Sequence, residues 1–109
     1  MNLKSEIWVK AELRRCEIDL MHATIIQKGD QDRGLVLIRV YRAGAGNLFY
    51  QLMRNDWDKL IWHKPMGESY LDDYQARDYQ ERQQSYDADL WVIEVEDPKG
   101  MYEPQEFIA

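Results

Sequence analysis

The chain has 109 residues, 45% hydrophobic and 31% charged, with a net charge of −6 and a single cysteine, Cys16. That balance excludes a disordered polar chain, an internal disulfide, a Cys-x-x-Cys zinc site and generic nucleic-acid binding. No run approaches the ~18 apolar residues of a membrane span, so we expect one soluble cytoplasmic domain, residues 1–109, with no membrane partner.

Ser5 precedes a run in which Val9, Leu13, Cys16 and Leu20 fall on one helical face. The spacing predicts a helix over about 6–20, with Ser5 as N-cap and Glu6 in its first turn. His22–Lys28 reads as a short strand. KGDQDRG (28–34) follows, rich in turn residues. It lacks the Gly-Lys-Ser/Thr order of a phosphate loop and the closing Glu of a calcium loop. The reading is a hairpin loop presenting Asp30, Asp32 and Arg33.

LVLIRVYR (35–42) is a strand, apolar at every position at its start, as in a strand buried on both faces. AGAGN (43–47) is a turn, LFYQLM (48–53) a third strand and Leu60–Trp62 a fourth. Ser69-Tyr-Leu-Asp72 has the capping-box pattern of a helix start, and the helix runs to about Tyr86. Tyr74, Ala76, Tyr79, Gln83 and Tyr86 form its packing face. Leu90–Glu96 is a strong strand, Asp97-Pro-Lys-Gly100 a type I turn, and Phe107 and Ile108 suggest a tail docked beside that strand. The fold class is α+β: a mostly antiparallel sheet of about four to five strands packed with two helices, in the order α-β-β-β-β-α-β.

Charge divides along the chain. Residues 1–64 hold 11 Lys/Arg and 8 Asp/Glu, a net of +3, while residues 65–109 hold 3 and 12, a net of −9. The basic set Lys10, Arg14 and Arg15 sits on the first helix, facing solvent, an acidic partner or the chain's own acidic half.

IWVKAELRRC, KGDQDRGLVLIRV and DADLWVIEVEDPKG occur in that order. Together they resemble a family of small bacterial proteins of unknown function, mainly alphaproteobacterial. Arg33 stands where that family has a small residue, and 43–66 departs from its pattern. The resemblance implies a cytoplasmic single domain, with no activity and no site residues.

Two readings of function follow. The first is a protein-interaction module, binding a protein or a second copy of itself through Trp57, Tyr70, Tyr74 and Tyr79, with the acidic half as rim. It needs no cofactor and no metal. The second is a metal-dependent hydrolase. There Asp56, Asp58 and His63 supply acid/base groups and Glu94 and Glu96 share one side of a strand as metal ligands, with Asp30 and Asp32 as an alternative source of carboxylates. The central strands lack the Glu/Asp-x-Lys of metal-dependent nucleases, and no carboxylate set has ligand spacing, so the first reading is preferred.

Overall fold

The expected helical stripe builds α1 (Ser5–Ile18) in the computed structural model, which describes residues 4–107. Trp8, Val9, Glu12 and Cys16 lie buried along it. Its ends differ from expectation. Ser5 is not the cap: Lys4 holds that position without a side-chain bond, and Ser5 Oγ instead donates to the Gly34 carbonyl at 2.6 Å. Glu6 N donates to the Gln31 carbonyl at 3.0 Å. The Glu6 N–H of the first turn thus finds its acceptor in a distant segment rather than in a local serine. At the other end, Leu20 N donates to Glu17 O and Met21 N to Cys16 O. That is the Schellman closure, which places its C′ residue in left-handed backbone. Leu20 takes that place, with φ 62°, and is 80% exposed rather than on the buried stripe.

Five strands follow: β1 (His22–Gln27), β2 (Val36–Arg42), β3 (Gly46–Arg54), β4 (Leu60–His63) and β5 (Trp91–Glu96), with α2 (Asp73–Tyr86) before the last. The element order is the expected one, and the sheet order is β1-β5-β2-β3-β4. β2–β3 and β3–β4 are antiparallel hairpins, as their short connections require. β5 inserts between β1 and β2, antiparallel to the first and parallel to the second.

KGDQDRG is therefore not a hairpin loop, since the strands on either side of it do not pair. β5 takes the place between them because it is buried on both faces, whereas β1 alternates exposed and half-buried positions and suits an edge. The 28–35 segment crosses the start of β5 at close range. A Cβ on Gly29 would lie 2.2 Å from the Asp89 carbonyl oxygen, and one on Gly34 2.5 Å from it. Asp30 N donates to Asp89 O, and Trp91 Nε1 to Asp30 O.

The sheet is covered on both faces. Trp8, Val9 and Cys16 pack on Val36, Ile38, Val40, Trp91, Ile93 and Val95. On the opposite face Ala76 of α2 packs on Leu37, Phe49 and Val92. The capping box of α2 begins at Asp72 rather than Ser69. Asp72 Oδ1 accepts from Gln75 N at 2.7 Å, and Gln75 Oε1 accepts from Asp72 N at 3.1 Å. The packing face is narrower than expected: Ala76 and Gln80 are buried, Tyr79 is half-buried, and Tyr74 and Tyr86 are exposed.

The tail does dock, but not beside β5, whose two sides are taken by β1 and β2. It lies against α1 instead. Tyr102 and Phe107 are buried, Trp8 stacks between Trp62 and Phe107 at 5.1 and 5.6 Å, and Trp62 Nε1 donates to Gln105 O. Ile108 lies outside the described residues. No helix among the described residues is long and apolar enough to cross a membrane.

Candidate functional site

The β3–β4 connection is built around Asn55. Its Oδ1 accepts from Trp57 N at 2.9 Å and Lys59 N at 3.0 Å, the side-chain-to-backbone pattern that makes Asn a turn residue. Asn55 N donates to Lys59 O, and Asp58 N to Asn55 O. Asp58 adopts φ 59°, a region Asp enters at low cost, and Arg54 Nη1 reaches its carbonyl at 3.1 Å. Five residues are thus held by their own polar groups. The loop leaves the Trp57 indole 82% exposed, between the exposed carboxylates of Asp56 and Asp58.

The second cross-strand pair from the loop adds apolar surface. Met53 and Ile61 are register partners, and both are exposed. Their strand neighbours Leu52 and Trp62 point into the core on the other face. β4 is an edge strand, so this surface lies at the border of the sheet.

The other expected site residues are spread over the molecule. His63 ends β4 opposite Gln51, half-buried. Tyr79 stacks on Phe49 at 4.8 Å and donates to Gln51 Oε1, and burial pushes its phenol pKa up. Tyr79 therefore serves the core. Tyr70 OH accepts from Arg42 Nη1 at 2.8 Å, while Tyr74 stands free on α2, 81% exposed.

Asp30 turns its carboxylate on its own loop, accepting from Asp32 N and Arg33 N. Asp32 reaches Lys4 at 3.4 Å, and Arg33 is exposed. Glu94 lies in register between Thr24 and Arg39, and Glu96 between His22 and Tyr41. Of the expected groups Asp30, Asp32 and Arg33 share one loop and Asp56, Trp57 and Asp58 another, and His63, Glu94 and Glu96 join neither. Among the described residues no three His, Cys, Asp or Glu side chains come together as a metal site.

Sequence reading missed two features. Met53 and Ile61 follow from strand alternation once Leu52 and Trp62 are assigned inward. Glu12 stands four residues after Trp8 and four before Cys16, which places a carboxylate on the buried stripe. It is 1% exposed and fully partnered, accepting from Arg15, Tyr102 OH at 2.7 Å and Gln105 N at 3.1 Å. This cluster ties the tail to α1, and among the described residues no buried side-chain N or O atom lacks a hydrogen-bond partner.

The comparisons with known proteins bear on the family and the fold. The model of the family described as Protein of unknown function (DUF1491) matches residues 3–103, running through 43–66 as well. A crystal structure of a DUF1491 family protein from Caulobacter crescentus CB15 superposes with a TM-score of 0.80 at 31% identity, covering 95% of this chain and 99% of that one. An NMR structure of a DUF1491 family protein from the same organism gives 0.81 at 28% identity, covering 100% and 94%. A solution structure of an A. tumefaciens protein gives 0.75 at 22% identity, covering 97% and 100%, and shares the fold. No curated protein matches. Ordered motifs, fold and profile agree: the chain belongs to the DUF1491 family of proteins of unknown function.

Proposed function

We propose that the protein is a small cytoplasmic protein-interaction module whose docking surface is the β3–β4 hairpin, with Trp57 as anchor. The observation that carries this reading is a tryptophan 82% exposed on a loop fixed by its own hydrogen bonds. Leaving such a side chain in water forgoes about 2–3 kcal/mol of burial. Tryptophan is among the residues that dominate binding energy at interfaces. A pre-ordered loop also lowers the entropy lost on docking. Met53 and Ile61 extend the apolar area, and Asp56 and Asp58 supply a polar rim. A net charge of −6 favours a protein partner over nucleic acid.

The test is quantitative affinity capture from the native host with wild-type protein and Trp57→Ala, each shown to fold by circular dichroism. A partner held by the wild type and depleted at least tenfold by Trp57→Ala supports the reading. Equal recovery of every captured protein by the two baits overturns it.

A further inference from the structure

The opposite border of the sheet carries a second surface. β1 is the other edge strand. Trp91 N donates to Leu35 O and Asp97 N to Tyr41 O, so the odd-numbered residues of β5 turn their main-chain groups toward β2. The even-numbered ones face β1, where Glu94 opposes Thr24 and Glu96 opposes His22. The N–H and C=O groups of Ala23 and Ile25 therefore point outward, away from the sheet. Beyond Ile25 the register breaks in a bulge, which ends the pairing surface.

Beside this edge runs a groove of about 460 Å³ between α1 and the start of β1. Leu13, Met21 and Ala23 provide its apolar lining, and Lys10, Arg14, Glu17 and His22 its polar one. Among the described residues Arg14 makes no ion pair. Lys10 holds only an exposed pair with Glu6, one turn away, a weak interaction that a stronger partner can displace. Of the basic set on this helix, Arg15 alone is committed inward, to Glu12 and the Glu103 carbonyl.

We propose that this groove accepts an extended acidic segment of a partner protein, added as a sixth strand on β1. Free main-chain groups on a strand edge, an apolar lining and cations alongside are the elements of strand addition. The main-chain bonds supply attachment, and Lys10 and Arg14 select carboxylates at alternate positions of the guest. A second copy of the chain fits less well. Pairing two β1 edges about a two-fold axis brings α1 beside its own copy, and Lys10 and Arg14 then meet like charges.

The test is an NMR titration of the labelled chain with a seven-residue peptide alternating valine and glutamate, against the same peptide with lysine in place of glutamate. The expected result is shifted amides over 10–25, slowed exchange at Ala23 and Ile25, and no response to the lysine peptide. The exposed double variant Lys10→Glu, Arg14→Glu should weaken binding at least tenfold, while Trp57→Ala should leave it intact. No response at about 1 mM peptide, the level of very weak binding, overturns the proposal, as does equal response to both peptides. Protection of Ala23 and Ile25 that rises with protein concentration alone, with a doubled mass by light scattering, assigns the edge to a second copy and also overturns it.

Discussion

The phenol of Tyr102 donates a 2.7 Å hydrogen bond to the carboxylate of Glu12, across 90 positions of sequence. Burial, reinforced by the nearby negative charge of Glu12, pushes the Tyr102 phenol far above its usual range, so it remains a donor at any physiological pH. On the other side the hydrogen bond from Arg15 to Glu12 keeps the guanidinium charged. Glu12→Ala removes the common acceptor of Arg15, Tyr102 and Gln105, and should cost about 3–5 kcal/mol, as when one partner of a buried ion pair is deleted. Tyr102→Phe leaves the carboxylate one donor short and should cost about 1–3 kcal/mol. Urea unfolding of both single variants and the double variant measures these losses. Because the two changes act on one network, the double variant should lose less than their sum.

Stability should depend on pH through Asp97. Burial works to raise its carboxyl pKa, but hydrogen bonds from Tyr102 N at 2.9 Å, Arg42 Nε at 2.9 Å and Met101 N at 3.1 Å outweigh burial and hold it below the ordinary value. A carboxyl depressed in the folded state stabilises fully above its unfolded pKa of about 3.9. That contribution is lost as pH falls through the folded value. Wild type should therefore lose stability below about pH 4, and Asp97→Asn should be weaker at neutral pH with a flatter acid limb. Unfolding midpoints from pH 2 to 7 check both. Parallel acid limbs would remove Asp97 as a source of the dependence.

Cys16 should be inert while the chain is folded. Burial, followed by the charge of Glu12, pushes its thiol up to about 11, and its side chain is wholly enclosed. About one thiol in a thousand is then ionised at pH 8. Its reaction with a disulfide reagent should proceed only through opening of the structure, and should accelerate in Glu12→Ala. Rapid labelling of the native wild type would contradict the packing.

The crossover over β5 predicts a ranking among glycine variants. Gly29→Ala sets a Cβ against the Asp89 carbonyl, which is backbone and cannot turn aside, and should cost about 3 kcal/mol or more. Gly44 lies in open space with φ 82°, so Gly44→Ala carries backbone strain alone, about 1 kcal/mol. Thermal melts of the two rank them. Equal losses would mean that the crossover relaxes.

Much of this fold is legible in local patterns. The β2, β3 and β4 strands, the type of each helix and the last strand follow from periodicity and turn residues, because short connections leave little freedom. The insertion of β5 between β1 and β2 does not, since it is decided by which strand can afford burial on both faces. The same holds for the start of α1: the acceptors of Ser5 and Glu6 are Gly34 and Gln31, in a segment distant in sequence that no local pattern brings beside the helix. At the candidate site, the sequence shows Trp57 and its flanking carboxylates as one stretch. It does not show that Tyr79 belongs to the core, or that Asp30 spends its carboxylate on its own loop.

Leu20 is the position where local sequence and structure conflict most. The Schellman closure of α1 requires a left-handed residue there, and the sequence offers a leucine where glycine or asparagine is usual. A leucine at φ 62° bears about 1 kcal/mol of backbone strain. Its side chain, 80% exposed, recovers little of that by burial. Leu20→Asn should therefore stabilise the chain by about 0.5–1 kcal/mol, seen as a rise of a few degrees in Tm. Leu20→Gly relieves the same strain but adds freedom to the unfolded chain, so its gain should be smaller. If both variants instead lower Tm, Leu20 makes apolar contacts that outweigh the strain, and the groove it lines with Ile18, Met21 and Met101 is more closed in solution than its exposure implies.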